Sequence, residues 1–215
     1  MNWLKKCLLF IPFFKASKVG PPPTSPSSSP SSTEKSTTAP NTTARAAASK
    51  PKSKSGPPKS YPETKAKTPN VSAKPIVPKA VVLHHSGGSY AGGVAWIKNP
   101  QSRVSYHVLV APDGKRTVFA VPEQRTWHAG RSEWRGKRDL NSWSVGAAFA
   151  GDTYKEPLTD AAMASMAEYL EPLMRRYRLT LDDVTDHRTV SPGRKDDLNL
   201  VELARFKAYL AKRLA

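Results

Sequence analysis

The chain has 215 residues, which is long enough for one ordinary domain and an additional segment. Its formal net charge is +17, and residues 1–79 hold +12 of that charge, from 13 Lys and one Arg against two Glu. Because most of the charge lies in the front of the chain, the composition does not indicate a basic folded surface. The single cysteine, Cys7, excludes an internal disulfide.

The first 18 residues form a short apolar and basic segment. Lys5 and Lys6 precede an apolar run from Cys7 to Phe14, which is the order of charges and apolar residues in an export signal. The run is too short to cross a bilayer as a helix, and Pro12 interrupts it. An export signal and a peripheral amphipathic anchor therefore both remain open for residues 1–18.

The next segment is rich in proline. Residues 1–79 contain 14 of the 20 prolines, and the stretch from Pro21 to Lys67 is almost entirely Pro, Ser, Thr, Ala and Lys. Such a composition buries too little apolar surface to offset the entropy of ordering the chain. Residues 19–74 are therefore predicted to be a disordered cationic linker. Its charge suits an anionic cell-envelope surface, although nucleic acid would satisfy the same electrostatics.

Strand signals dominate the first half of the predicted domain, residues 75–215. The apolar run from Ala80 to Leu83 predicts a buried strand with His84 at its end. Residues 105–110 and 116–121 flank a Pro-Asp-Gly turn, which predicts a β-hairpin. The small apolar residues of "SVGAAFAGD" predict another buried strand.

Helical periodicity follows in the second half. Apolar residues recur at three- and four-residue steps, which predicts an amphipathic helix: Met163, Met166, Leu170, Leu173, Met174 and Tyr177. Thr159 is placed as its N-cap, and Pro172 lies where it can bend the helix. A final helix is predicted from Asn199, where "NLVE" resembles a capping box. The expected fold class is α/β, with a single mixed β-sheet and helices packed on it.

The histidines are the candidates for metal chemistry. All five lie in the predicted domain, at positions 84, 85, 107, 128 and 187, and the only sulfur atoms there belong to methionines. A transition-metal site must therefore use imidazole and carboxylate, a combination that suits zinc. The loop "DHRTVSPGRKDD" carries His187 and Asp197, which could join His84. From spacing alone, a polar core histidine and a solvated charged loop remain open as alternatives.

The order of the motifs resembles a known enzyme family. The strand ending in "HHSGG" is followed by "SYHVLVAPDG", "WHAG", "NSWSVGAAFAGD" and "DHRTVSPGRKDD". This succession is similar to the zinc-dependent N-acetylmuramoyl-L-alanine amidases of the type-2 family, which includes phage amidase lysozymes and peptidoglycan recognition proteins. The resemblance covers roughly residues 77–212. It implies Zn²⁺-dependent hydrolysis of the amide between N-acetylmuramic acid and L-alanine in peptidoglycan.

The resemblance also implies a metal site. His84, His187 and Asp197 match the zinc ligands of the branch of the family that ends on a carboxylate, and Asp196 is the alternative to Asp197 within one residue. Two imidazoles and one carboxylate leave the ion a net positive charge, which lowers the pKa of bound water and polarises a carbonyl.

Catalytic roles follow from the same resemblance. Lys195 is implied as the partner of the oxyanion, Tyr106 as the residue that positions water, and His128 as a histidine on the substrate side. Many bacterial relatives carry a glutamate where this chain has Ala148. General-base work is therefore left to Tyr106, to His128 or to the metal-activated water. His107 is expected on the opposite strand face from Tyr106, in the core or behind the site.

Two other functions are compatible with parts of the sequence. A non-catalytic peptidoglycan-binding module would have the same fold, and a nucleic-acid-binding protein would explain only the charge. The expected partners are peptidoglycan and muropeptides, with the basic arm on an anionic envelope surface and no nucleic acid, and a monomer is expected. The expected location is the bacterial envelope, periplasm or exterior, or a phage enzyme acting on the host cell wall. The sequence does not decide between a phage and a bacterial role.

Overall fold

The computed structural model describes residues 60–215. The described chain forms ten strands: β1 (Glu63–Lys65), β2 (Val71–Pro75), β3 (Val81–His85), β4 (Val108–Val110), β5 (Arg116–Val118), β6 (Gln124–Thr126), β7 (Glu133–Trp134), β8 (Lys137–Arg138), β9 (Val145–Phe149) and β10 (Val184–Asp186). Six of them form the main sheet in the order β1-β5-β4-β9-β3-β10. Two small antiparallel ladders, β2 with β6 and β7 with β8, lie outside it.

The main sheet is mixed. Strands β4, β9, β3 and β10 run parallel to one another, while β4 and β5 form the antiparallel hairpin predicted around the Pro-Asp-Gly turn. Every residue of β9 is buried, as expected for a strand covered on both faces. The two predicted buried strands correspond to β3 and β9. The α/β class with a mixed sheet is thus confirmed.

Four α-helices accompany the sheet: α1 (Tyr90–Lys98), α2 (Asp160–Tyr177), α3 (His187–Val190) and α4 (Leu200–Leu214). Short 3₁₀ turns lie at Pro100–Ser102, Leu140–Ser142 and Leu181–Asp183. Thr159 caps α2 as predicted, because its side chain accepts a hydrogen bond from the Ala162 amide. Pro172 lies inside α2.

The start of α4 differs in one detail from the expectation. Asn199 is the N-cap, and its side chain accepts a hydrogen bond from the Val201 amide. Glu202, however, does not complete a capping box, because its carboxylate accepts hydrogen bonds from the Leu158 amide and from Arg205. The carboxylate ties α4 to the segment before α2 instead.

The two faces of the sheet have different roles. Alternate residues of the central strands, including Val81, Leu83 and Phe149, pack with α2 and α4 into the largest apolar cluster. Val82 belongs to a separate cluster with Ala129 and Val190 on the other face. His84 follows Val82 by two residues and so shares that second face. His84 therefore lies over one face of the sheet, while the other face supplies the main apolar core.

The structured domain begins before the predicted boundary at Pro75. Tyr61 is buried against the hairpin turn at Gly114, whose φ of +86° suits glycine and where a Cβ would overlap the tyrosine ring. Strand β1 pairs with β5, and β2 pairs with β6. Residues 61–74 thus belong to the folded domain and not to the linker. The rest of the predicted linker and the segment 1–18 lie outside the described residues.

Among residues 60–215, no helix is both long enough and apolar enough to cross a membrane.

Candidate metal centre and active site

The sheet brings two histidines from distant parts of the chain to one edge. Strands β3 and β10 are parallel neighbours with Leu83 opposite Asp186, so the residues that follow, His84 and His187, emerge side by side. His187 is the first residue of α3, and Asp186 caps that helix by accepting a hydrogen bond from the Thr189 amide. Parallel pairing thus explains why residues 103 positions apart meet.

The loop after α3 returns the third residue to the same point. Gly193 adopts a φ of +71°, which a glycine accommodates without strain and which helps to turn the chain after Pro192. The Arg188 amide then donates to the Asp197 carbonyl at 2.7 Å, which closes the loop. Asp197 is buried beside His187, whereas Asp196 is exposed and its carbonyl accepts from Tyr154 and Arg188.

Three ligand atoms converge at this point. The Nδ1 atoms of His84 and His187 are 3.1 Å apart, and each lies 3.2 Å from Oδ2 of Asp197. Atoms bound at about 2.0–2.1 Å around a tetrahedral zinc ion lie about 3.3 Å from one another. The three side chains therefore have the spacing of three corners of a tetrahedral site, and this group could hold a metal ion.

Hydrogen bonds on the far side of the His84 and His187 rings show which nitrogen of each ring carries the hydrogen and which has a free lone pair. Nε2 of His187 faces the Ala129 carbonyl at 3.2 Å, so it carries the hydrogen and Nδ1 does not. Nε2 of His84 lies 3.1 Å from Nδ1 of His128. The Nε2 atom of His128 lies 3.3 Å from the Ser144 hydroxyl, which itself donates to the Leu140 carbonyl at 2.6 Å.

This chain of hydrogen bonds has one consistent direction. Because the Ser144 hydroxyl donates to Leu140, it accepts from Nε2 of His128, which leaves Nδ1 of His128 as the acceptor for His84. Nδ1 of His84 is therefore unprotonated, like Nδ1 of His187. Two nitrogen lone pairs and a carboxylate thus face one another without a proton, which is a donor set that suits a cation.

The protonation states agree with this assignment. Burial, the neighbouring His187 and Lys195 lower the pKa of His84 to about 4. Burial raises the pKa of Asp197, but the adjacent His187 and His84 side chains outweigh it and hold that pKa well below its usual range. At neutral pH the group therefore contains a neutral His84 imidazole and an ionised carboxylate, the forms in which these residues bind zinc.

His128 contacts His84 and lines the pocket beside it. It is only 4% exposed, and burial, followed by the neighbouring His84, lowers its pKa well below the ordinary value. Both of its ring nitrogens already face protein groups. The ring thus lies at the pocket, where the resemblance implies a substrate-side histidine, while its two nitrogens face His84 and Ser144.

The open side of the metal group is a pocket of about 660 Å³. Tyr106 and Lys195 line it beside His187 and Asp197. The Tyr106 ring centroid is 4.9 Å from that of His84, and the Lys195 side chain is exposed. Burial, and then the charge of Asp197, raise the pKa of Tyr106, so the phenol keeps its proton at neutral pH. The three predicted catalytic residues, Tyr106, Lys195 and His128, thus all line the pocket beside the metal group.

The position that carries a glutamate in many relatives is apolar here. Ala148 pairs with His84 in the β3–β9 register and is fully buried in a cluster with Ile97 and Leu109. Asp196 and Asp197 are the only carboxylate residues that line the described pocket. His107 lies in the core, where Nε2 donates to the Gln124 carbonyl and Nδ1 accepts from the Gly146 amide.

Some lining residues were not predicted from the sequence. Helix α1 contributes Trp96, 55% exposed, to the pocket wall, and the following loop contributes Arg103. Two glycines near its start, Gly92 and Gly93, lower the helix propensity and hide the helical pattern. Only the Ser89 N-cap, which accepts from the Gly92 amide, was a local signal for this helix.

Comparison with known proteins agrees with the resemblance. Residues 73–199 match the N-acetylmuramoyl-L-alanine amidase family called Amidase_2. One relative is the 1,6-anhydro-N-acetylmuramyl-L-alanine amidase AmpD of Haemophilus influenzae, 35% identical over 98 residues, which are 45% of this chain and 53% of the relative. The chain spans about half the length of the curated relatives that it matches.

Two solved structures share the fold. A mutant endolysin from Bacillus subtilis has a TM-score of 0.57 at 21% identity, covering 70% of this chain and 99% of the endolysin. The Escherichia coli amidase AmiD, in complex with anhydro-N-acetylmuramic acid-L-Ala-D-γ-Glu-L-Lys, has a TM-score of 0.52 at 23% identity, covering 66% of this chain and 59% of AmiD. At these identities the likeness concerns the fold alone. Since the family match covers residues 73–199, more than half of the sequence, the chain belongs to the N-acetylmuramoyl-L-alanine amidase family Amidase_2.

Proposed function

We propose that this protein is a zinc-dependent N-acetylmuramoyl-L-alanine amidase that cleaves the bond between N-acetylmuramic acid and L-alanine in peptidoglycan or its muropeptides. The observation that carries the proposal is the convergence of two unprotonated Nδ1 atoms and one carboxylate beside a pocket that His187 and Asp197 line. A zinc ion held by His84, His187 and Asp197 would supply a Lewis acid that polarises the amide carbonyl and acidifies water.

The other pocket residues would act on the charge that develops during amide cleavage. Attack on an amide places negative charge on the former carbonyl oxygen. The Lys195 ammonium and the Tyr106 phenol both face the pocket, and the phenol keeps its proton at neutral pH. We therefore assign both residues as donors that stabilise this oxygen. Removing one such donor typically lowers kcat by about 10²–10³-fold.

Neither of the side chains considered as a general base is suited to that work. Tyr106 retains its proton, and both ring nitrogens of His128 are engaged by His84 and Ser144. Ala148 supplies no carboxylate. In this proposal the chain contributes a metal site and two proton donors, while no side chain is assigned as the base.

The pocket walls suit a muropeptide. Trp96 and Trp127 offer aromatic surface, and Arg103 offers a positive charge for a peptide carboxylate. AmpD of Haemophilus influenzae is named for anhydro substrates, and AmiD is described with an anhydromuropeptide bound. Both ordinary and anhydro muropeptides are therefore included in the proposed substrate class.

A non-catalytic binding module of the same fold is the second candidate. It would need a pocket but no metal or oxyanion donor, whereas this chain holds His84, His187, Asp197 and Lys195 together at one site. The basic front segment is proposed to hold the protein, as a monomer, against anionic envelope polymers, in a bacterial envelope or on a phage target. A nucleic-acid-binding function would leave the metal group without a role.

The direct test is the incubation of purified, zinc-loaded protein with soluble muropeptides, with and without a chelator, followed by mass analysis of the products. Release of the free stem peptide, abolished by chelator and restored by zinc, is expected. Muropeptide binding without any release of the peptide would favour the binding module and contradict the amidase.

A further inference from the structure

One dipeptide, His128-Ala129, contacts both metal-binding histidines. The His128 side chain accepts a hydrogen bond from Nε2 of His84 at 3.1 Å. The Ala129 carbonyl accepts one from Nε2 of His187 at 3.2 Å. These two contacts leave the Nδ1 atoms of both rings facing Asp197. The position of this dipeptide thus sets the orientation and the tautomer of both imidazoles.

The backbone of the dipeptide is held from behind by Asn141. The Asn141 Oδ1 atom accepts hydrogen bonds from the His128 amide at 3.0 Å and from the Ala129 amide at 2.8 Å. Both partners are donors, so the accepting atom is the oxygen. Asn141 is 6% exposed, and both amides are buried. Without this acceptor, two buried N–H groups would lose their partner.

Asn141 is itself fixed by its surroundings. It lies in the 3₁₀ turn Leu140–Ser142, and the Leu140 side chain is fully buried. The Leu140 amide donates to the Ser132 hydroxyl, and both Oδ atoms of Asp139 accept from the Arg125 guanidinium. The same guanidinium donates to the Ser142 hydroxyl at the end of the turn. The turn is thus held at both ends and provides a rigid support for the dipeptide.

The opposite side of His128 is equally restricted. Gly146, on β9, lies against the imidazole, where a Cβ would overlap Cγ of His128. The glycine thus leaves the space that the ring occupies, while Ser144 accepts from its Nε2. His128 is confined between β9 and the turn that carries Asn141.

We propose that Asn141 is a positioning residue for the metal centre, because its amide oxygen fixes the His128-Ala129 dipeptide that orients both metal-binding imidazoles. This inference rests on the proposed metal site of the amidase. In this proposal, residues of the "WHAG" and "NSWS" motifs hold the metal ligands in position. Partners of this kind behind a metal ligand typically contribute about 10- to 100-fold to metal affinity.

The test measures zinc affinity of the full chain by competition with a chromophoric chelator, together with the visible spectrum of the Co²⁺-loaded protein. Asn141→Ala is expected to weaken zinc binding about 10- to 100-fold and to change the Co²⁺ spectrum. Asn141→Asp keeps an oxygen that accepts from both amides, so it is expected to restore most of the affinity.

Asn70→Ala is the matched control. Asn70 is also buried and donates to three backbone carbonyls, those of Ile97, Asn99 and Val104, but it does not touch the dipeptide. This variant is expected to lose stability while it keeps its zinc affinity and Co²⁺ spectrum. Equal losses of affinity in Asn141→Ala and Asn70→Ala would overturn the proposal, as would wild-type affinity in Asn141→Ala or an Asp variant as weak as the Ala variant.

A second variant covers the case in which Asn141→Ala does not fold. Gly146→Ala displaces the His128 ring from the other side and leaves Asn141 intact. It is expected to weaken zinc binding with a changed Co²⁺ spectrum, and unchanged affinity would contradict the positioning role of the dipeptide. If the wild-type chain itself binds no zinc, the proposed function fails, which is distinct from a failure confined to the variants.

Discussion

The Nδ1 atoms of His84 and His187 lie 3.1 Å apart, and the hydrogen-bond partners of both rings leave neither atom protonated. Asp197 adds a carboxylate oxygen at 3.2 Å from each. Such a set of electron pairs repels itself unless a cation lies among them. The positions of these three side chains therefore indicate a bound cation, which the sequence spacing alone did not.

Substitution of a metal-binding histidine should abolish both metal binding and cleavage. His187→Ala removes one of three ligands, so zinc binding measured by calorimetry and stem-peptide release measured by mass should both be lost. His85→Ala is the matched control for zinc binding, because His85 adjoins His84 in sequence but accepts hydrogen bonds from Thr153. Retained zinc binding in His187→Ala would contradict the ligand assignment.

The two pocket donors should affect turnover without affecting the metal. Lys195→Met and Tyr106→Phe each remove a donor to the developing oxyanion, so kcat should fall by about 10²–10³-fold. Zinc affinity should remain close to that of the wild type, because neither side chain is a ligand. Lys137→Met, on the exposed β7–β8 hairpin, serves as a charge-matched control with normal turnover. A loss confined to KM would indicate substrate binding and not oxyanion stabilisation.

Acid should destabilise the metal-free domain through its buried histidines. Burial lowers the pKa of His107 to about 4, against about 6.5 in the unfolded chain. Below pH 6.5 the unfolded state binds a proton that the folded state does not, so this contribution to stability is complete above pH 6.5 and is lost towards pH 4. For His107 the loss between pH 7 and pH 5 should be about 2 kcal/mol.

Urea unfolding in the presence of a chelator measures this effect. The free energy of unfolding should fall from pH 7 to pH 5 in the wild type, and His107→Gln should show a smaller fall even if it is less stable at both pH values. An identical pH dependence in the two proteins would show that His107 does not titrate as expected.

The boundary of the domain leads to a prediction about truncation. Deleting residues 1–59 removes most of the basic segment and leaves Tyr61, β1 and β2 in place. Turnover of soluble muropeptide should then be unchanged, while activity on whole cell walls should fall, most strongly at low salt. Equal losses on both substrates would contradict the proposed role of the basic segment.

Deleting residues 1–74 is the informative comparison. It also removes the strand β1, the buried Asn70 and most of β2, which together tie the sheet edge and the loop after α1. This longer truncation should lower the thermal midpoint of unfolding, whereas the shorter one should leave it unchanged.

The sequence by itself determined the elements whose signals are local. The strand before His84, the Pro-Asp-Gly hairpin, the period of α2 and its Thr159 cap depend on alternation, turn chemistry and neighbouring hydrogen bonds, which the sequence displays directly. The ordered motifs also indicated His84, His187 and Asp197 as a group, and the structure brings these residues together.

Only the tertiary structure decided the features that depend on pairing between distant segments. The β3–β10 register placed His84 beside His187, and the hydrogen bond between His128 and His84 joined segments 44 residues apart. Asn141 reached the backbone of a loop 12 and 13 residues earlier in the chain. Strands β1 and β2 looked like linker because their composition is polar, and they are ordered because β5 and β6 supply the missing hydrogen-bond partners. Long-range contacts of this kind leave no periodic trace in the sequence, since each partner carries only half of the interaction.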